Sequence, residues 1–274
     1  MEASLDAKIR RGEHVKAAEE YTRKYWRDTT ADEMRAFLAI LIVMGNNKRP
    51  SYKSYWTTDS IIQMEGFRTI MSRDRFLNLL RFLHVSNNET AVPRGQPGYD
   101  RCQKIRPVID ICVSQWQDAF NIEKQVAIDE GMIGFKGHVF MRQYMPKKPT
   151  KWGLKAWILA SSQTGFVSNW KLYTGKEGDR AEERLGQKVV TDLMEISPQG
   201  HECYCDNFFT CYELLQDLER RGIGCCGTVK SNRKSNPPEI KTFIAKRGAA
   251  VLKALSPIFK RCGNTLAVGW FDGL

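Results

Sequence analysis

Near Gln125 the apolar residues of this chain change from a helical to a strand-like spacing, so any fold must join a helical first part to a sheet-forming second part. Upstream, Thr30-Ala31-Asp32-Glu33 has the spacing of a capping box, and Met34, Phe37, Leu38 and Leu41 follow at i, i+3, i+4 and i+7 on one face. The spacing predicts a helix ending near Gly45. A second helix is expected from Ser72, an N-cap with Asp74 in the first turn, presenting Phe76, Leu79, Leu80 and Leu83. A third, opened by Pro107, carries Ile109, Cys112, Trp116 and Phe120 along a stripe, and the three should pack on one another. Asn87 to Asp100, with two prolines and two glycines, reads as a loop.

Downstream, Val126-Ala127-Ile128 is a short β-prone run, and Val139, Met141 and Gln143 share one face of a strand, suggesting paired strands around a turn at Lys136-Gly137. Leu154 to Leu159 and Phe166 to Leu172 supply two more strands of an antiparallel meander. Helical spacing returns at Val189, Val190, Leu193 and Met194, and a strand runs from Glu202 to Asp206. Thr210 should cap a helix carrying Cys211, Leu214, Leu215 and Leu218 that stops at Gly222, and Cys225 to Lys230 reads as a further strand. Strands first, then strands alternating with helices, predict a mixed α/β sheet. The 274 residues, 42% of them hydrophobic, suffice for one large domain or two modest ones. The longest unbroken apolar run, Phe37 to Met44, is less than half of the ~20 residues that cross a bilayer. The amino terminus has no secretory pattern, so an intracellular protein with no membrane partner is expected.

The net charge of +11 biases the chain toward a polyanionic partner, and its distribution says more. From Gly131 to Lys176 there is no Asp or Glu, while Lys136, Arg142, Lys147, Lys148, Lys151, Lys155, Lys171 and Lys176 supply eight cations. Phe135, Phe140, Tyr144, Trp152 and Trp157 are interleaved with them. This is the pattern of a phosphate-facing surface on an aromatic framework; a solvated charged face is the competing reading.

Two acids stand where a phosphoryl-transfer site in a mixed sheet would put them. Asp129 ends Val126-Ala127-Ile128 and Asp206 ends Cys203-Tyr204-Cys205, so each carboxylate follows a β-prone run. If the two strands are neighbours, the pair can bind divalent cations that activate one oxygen and stabilise the leaving oxygen at phosphorus. Oxygen ligands select Mg²⁺ or Mn²⁺ over zinc. The competing reading makes both acids turn formers, and Asp206-Asn207 ahead of a helix suits that role. Eight cysteines are too few and too irregular for a disulfide scaffold. Cys203/Cys205 and Cys225/Cys226 are separated by one and zero residues, against the two to four of a zinc knuckle, and alternation along a buried strand accounts for Cys203 and Cys205 equally well.

Longer runs carry a resemblance. Ile128-Asp129-Glu130-Gly131-Met132-Ile133-Gly134-Phe135-Lys136-Gly137, Gln143-Tyr144-Met145-Pro146-Lys147-Lys148-Pro149-Thr150-Lys151-Trp152-Gly153-Leu154-Lys155, Tyr173-Thr174-Gly175-Lys176, Cys205-Asp206-Asn207-Phe208-Phe209-Thr210 and Gly227-Thr228-Val229-Lys230-Ser231-Asn232-Arg233 resemble the transposase domain of the piggyBac family. Met44-Gly45, Tyr55-Trp56, Met71 to Phe76 and Arg81-Phe82-Leu83-His84 resemble its helical amino-terminal region. The resemblance runs from about Tyr21 to the end of the sequence and implies an α/β fold: an RNase H-like mixed-sheet catalytic core over 123–274, preceded by an all-α region over 1–122 of dimerisation or DNA-binding type. It implies Mg²⁺-dependent cut-and-paste strand transfer on double-stranded DNA, with Asp129 and Asp206 as the first two of three catalytic, metal-holding acids. Lys230 and Arg233 match basic positions near DNA, and the cations Lys136, Arg142, Lys147, Lys148, Lys151 and Lys155 would hold its phosphate backbone.

The third acid belongs to a later motif of the family. Asp272 matches the turn after a family strand, Leu266 to Asp272, and is not promoted to that role. The expectation is therefore a carboxy-terminally incomplete core that binds DNA and is inactive as this chain, a relic or fragment of a transposase. A domesticated, non-catalytic DNA-binding protein is the alternative, and an incomplete gene model is a third reading. Nuclear residence follows from the expected DNA partner, and a homodimer from the family.

Overall fold

The computed structural model describes residues 26–175, 184–245 and 257–270. The chain divides into two compact units, Met1–His84 and Val85–Leu274.

In the first unit, α1 (Ala31–Asn46) begins where the capping box predicts, with Thr30 Oγ1 accepting from the Glu33 amide at 3.2 Å. The reciprocal half of the box is absent, because the Glu33 carboxylate is engaged elsewhere. It takes a fork from Arg75, with Nε to Oε1 at 2.7 Å and Nη2 to Oε2 at 2.5 Å. Arg75 lies on α3 (Arg73–Phe82), which Ser72 caps as predicted, and a four-residue α2 (Phe67–Ile70) precedes it. The buried face of α1 is Phe37, Ile40 and Met44, while Leu38 is exposed; the stripe is rotated from the predicted one. These residues pack with Tyr55, Phe67, Phe76 and Leu79 into an aromatic-rich core.

In the second unit, α4 (Arg106–Ala119) starts with Pro107 in its first turn. Ile109 is buried with Met141 and Leu172, and α4 lies on β4 (Val167–Leu172), a sheet partner that the sequence did not assign to it. The remaining strands of the sheet are β1 (Gln125–Gly134), β2 (Arg142–Tyr144), β3 (Trp152–Ser161), β5 (Glu202–Cys205) and β6 (Gly224–Gly227). Their order is β2-β3-β1-β5-β6, with β4 also paired to β3. β1, β3 and β4 are antiparallel, and β5 and β6 join parallel to β1, which is the RNase H-like mixed sheet that the resemblance implied.

The predicted hairpin around Lys136-Gly137 does not form. β1 pairs with β3 over nine residues, Val126 opposite Ser161 through Gly134 opposite Gly153, and the short β2 takes the other edge of β3. Alternation puts Val126, Ile128, Trp157, Leu159 and Cys203 in one buried cluster. Val189, Val190 and Leu193 of α5 (Leu185–Leu193) and Leu214 and Leu218 of α6 (Tyr212–Arg220) complete it. A last helix, α7 (Pro238–Ala245), and a hairpin of β7 (Ile258–Cys262) and β8 (Thr265–Gly269) follow. β8 occupies the strand predicted before Asp272, which itself lies outside the described residues. Among the described residues no helix is long and apolar enough to cross a membrane.

Candidate active site

The chemistry read from the sequence requires the strands preceding Asp129 and Asp206 to be neighbours. They are: β1 and β5 run parallel, in register from Gln125 opposite Glu202 to Ile128 opposite Cys205. Asp129 follows Ile128 within β1, which runs on to Gly134 and so does not end at this acid as the sequence suggested, and Asp206 follows Cys205 just past the end of β5. Val126, Ile128 and Cys203 fill the core, and strand alternation turns Asp129 to the opposite face. Both acids are exposed, and among the described residues neither is in an ion pair. Asp129 Oδ1 accepts from the Glu130 amide at 2.7 Å.

The loop that begins at Asp206 is held on several sides. Asp206 Oδ1 accepts from the Phe208 amide at 2.8 Å, so the turn-forming role read from Asp206-Asn207 is real and engages one carboxylate oxygen. Phe209 is fully buried in the core under the sheet. Thr210 does not cap α6, whose N-cap is Cys211; its hydroxyl donates back to the Asp206 carbonyl at 2.8 Å. Two glycines permit this packing by close approach. A Cβ on Gly227 would stand 2.2 Å from the Cys205 carbonyl oxygen and 2.3 Å from Thr210 Oγ1, and one on Gly186 would stand 2.7 Å from the Phe208 carbonyl oxygen. Arg233 completes the grip, its Nη2 donating to the Phe208 carbonyl at 2.6 Å and reaching that of Asn207 at 3.4 Å.

The predicted cations fall into four groups, with Lys155 shared by the first two. Lys155 Nζ stands 3.5 Å from Glu130 Oε2, and Lys148 Nζ stands 4.0 Å from Oε1 while donating to the Glu130 carbonyl at 3.2 Å. Glu130 therefore gathers two cations to itself, on the sheet face that alternation sets opposite to the Asp129 side chain. The Phe208 ring is flanked by Lys155 Nζ at 5.2 Å and Lys230 Nζ at 5.4 Å, cation–π contacts that bring both lysines to the Asp206 loop. Arg142 and Arg233 bond backbone. Arg142 donates to the carbonyls of Gly137 at 3.2 Å and Lys136 at 3.3 Å and lies 4.7 Å over the Trp152 ring, which packs on Tyr144. Lys136, Lys147 and Lys151 are exposed and, among the described residues, in no ion pair. Of the other two cations of the acid-free stretch, Lys171 pairs with Asp192, and Lys176 lies outside the described residues.

Sequence reasoning missed Glu130 and Phe208. Strand alternation from Asp129 sets Glu130 on the same face as Lys155 and Trp157, a signal available once β1 is paired with β3. No sequence signal sets the Phe208 ring between two lysines from distant segments. Among the described residues, no third carboxylate, histidine or cysteine joins Asp129 and Asp206 in a three-ligand group.

The profile of the family described as Transposase IS4 matches residues 8–263. Among human proteins, piggyBac transposable element-derived protein 3 is 26% identical over 215 residues, covering 76% of this chain and 35% of that protein. PiggyBac transposable element-derived protein 2 is 27% identical over 232 residues, covering 80% and 38%. PiggyBac transposable element-derived protein 5 is 25% identical over 268 residues, covering 90% and 48%. The solved piggyBac transposase synaptic complex with hairpin DNA superposes with a TM-score of 0.75 at 27% identity, over 89% of this chain and 50% of that one. The chain thus spans half or less of the length of each of these relatives.

Proposed function

The chain belongs to the Transposase IS4 family, and from that membership we propose that its second unit is a DNA-binding strand-transfer core in which Asp129 and Asp206 hold a divalent cation. The single observation that supports this reading is the parallel register of β1 and β5, whose last pair, Ile128 opposite Cys205, directly precedes the two acids. The donor set fits such an ion, since two exposed carboxylates, free of ion pairs among the described residues, offer the hard oxygens that Mg²⁺ and Mn²⁺ prefer. When bound, the cation supplies charge stabilisation at the phosphate. The rest of the work falls to this chain's own residues.

Exposed Lys136, Lys147 and Lys151 meet the DNA backbone as mobile point charges. Lys148 and Lys155 reach it only in competition with Glu130, which pairs with both. Lys230 stays by Phe208, and Arg233 acts through the backbone it holds, as a positioning residue for Asp206. Double-stranded DNA is the partner proposed; a structural relative was solved in a synaptic complex with hairpin DNA. Nuclear residence and pairing of two copies go with that proposal.

A second reading keeps the DNA surface without the chemistry. It is favoured by the missing third ligand beside the carboxylate pair among the described residues. On it, the 274-residue chain binds DNA and does not cut it. Fluorescence anisotropy with a short duplex tests what the two share: affinity should fall steeply as salt rises, and Lys147→Glu with Lys151→Glu should weaken it further. Affinity independent of salt sinks both readings. Strand cleavage of a duplex carrying element ends, abolished by Asp129→Ala, decides for the enzyme.

A further inference from the structure

The cysteines of β5 and β6 form a cluster that neither the carboxylate site nor the DNA surface uses. Cys203 and Cys205, two apart on β5, present their sulphurs to one face, and β6 lies parallel with Cys225 directly opposite Cys203. The three sulphurs all lie within 4.8 Å of one another, Cys205 and Cys225 at 4.0 Å. All three are free thiols, with Cys203 fully buried and the other two half-buried. Thr210 Oγ1 is 3.3 Å from Cys205 Sγ. The neighbouring Cys226 is exposed and outside the group. The sequence hid this set because its members come from both of the cysteine pairs, one of which also contains the outsider.

We propose that Cys203, Cys205 and Cys225 bind one thiophilic d¹⁰ cation, Zn²⁺ or Cu⁺. An ion about 2.3 Å from each sulphur sets neighbouring sulphurs about 3.8–4 Å apart in tetrahedral or trigonal geometry, and the Cys205–Cys225 separation of 4.0 Å already matches. Three soft donors exclude Mg²⁺ and Mn²⁺, so this ion does not compete for the carboxylates. Binding displaces the thiol protons to solvent. It also clamps β5 to β6 directly below the Asp206 loop, because the Thr210 hydroxyl beside Cys205 donates to the Asp206 carbonyl.

The test uses the full chain, reduced and metal-free under nitrogen, titrated separately with Zn²⁺ and with Cu⁺ against a chromophoric chelator of each. One equivalent of one of the two ions should bind, and the arm that binds identifies the ion. The bound ion should protect Cys203, Cys205 and Cys225, and not Cys226 or Cys262, from alkylation read by mass spectrometry. Cys225→Ser and Cys203→Ser should each weaken binding at least about tenfold, while Cys226→Ser and Asp129→Asn leave it unchanged. Because Asp129 is outside the thiol set, failure here and failure of the carboxylate reading are separate results. Binding of neither ion, or alkylation of the three thiols undiminished by metal, overturns the proposal even if the serine variants fail to fold.

Discussion

Arg233 Nη2 donates to the carbonyl oxygen of Phe208 at 2.6 Å, which ties the turn after β6 to the loop that begins at Asp206. The turn itself is braced, with Asn236 Nδ2 donating to the Lys230 carbonyl at 2.9 Å. A guanidinium in this position acts on the carboxylate through the backbone.

Arg233→Ala should therefore cost about 2 kcal/mol of stability, the usual scale for hydrogen bonds from a charged group. It should also speed amide exchange at Phe208, Phe209 and Thr210. Arg233→Lys keeps the charge and loses the planar guanidinium whose Nη2 reaches both carbonyls, so it should also speed exchange, to a lesser extent. Hydrogen exchange followed by mass spectrometry separates the cases. Unchanged exchange in the alanine variant means that the loop is held without Arg233.

Glu130 draws Lys148 and Lys155 to itself, and so restrains two cations of the proposed DNA face. Glu130→Gln should tighten binding to duplex DNA several-fold at low salt. Its plot of log affinity against log salt should steepen by as much as about two phosphate contacts. Anisotropy titrations over a salt series read both. An unchanged slope means that these lysines do not face DNA.

Much of the fold was legible because it rests on local signals. Thr30 and Ser72 cap their helices as their hydroxyls predict, and β3, β4 and β5 follow period-two runs. Partners at long range were not legible. Val139 to Gln143 looks like the second arm of a hairpin, yet β1 prefers nine residues of β3, and only Arg142 to Tyr144 pair at the far edge. Thr210 looks like a cap, but its hydroxyl serves the Asp206 carbonyl, a demand set by the loop's own turn. Asp206 was legible as a strand-ending carboxylate, whereas Asp129, read as ending its run, lies within β1, which continues to Gly134; that β1 and β5 adjoin is a property of the sheet. The roles of Glu130 and Phe208, and the three-thiol group, depend on the same long-range pairings.

In the first unit, the fork from Arg75 holds the Glu33 carboxyl at about 2, below its ordinary 4.5. Arg75 is only 6% exposed, so removing its partner leaves a buried, uncompensated charge. Glu33→Gln should cost roughly 3–5 kcal/mol at neutral pH. The sign with pH follows from a lowered folded-state value: the stabilisation is complete above about 4.5 and is lost as pH falls toward about 2. Denaturant unfolding read by tryptophan fluorescence should show the gap between wild type and variant shrinking across that window. A gap that stays constant from pH 7 to pH 2 contradicts the pairing as the source of stability.

The most direct measurement is Mn²⁺ binding to the full chain, followed by electron paramagnetic resonance, in wild type and in Asp129→Asn and Asp206→Asn variants. Wild type should bind Mn²⁺, each single variant should weaken it by roughly tenfold or more because each removes one of two oxygen donors, and Cys225→Ser should leave it untouched. Mn²⁺ affinity that is the same in wild type and both asparagine variants would contradict the claim that β1 and β5 bring Asp129 and Asp206 together as one metal-holding pair.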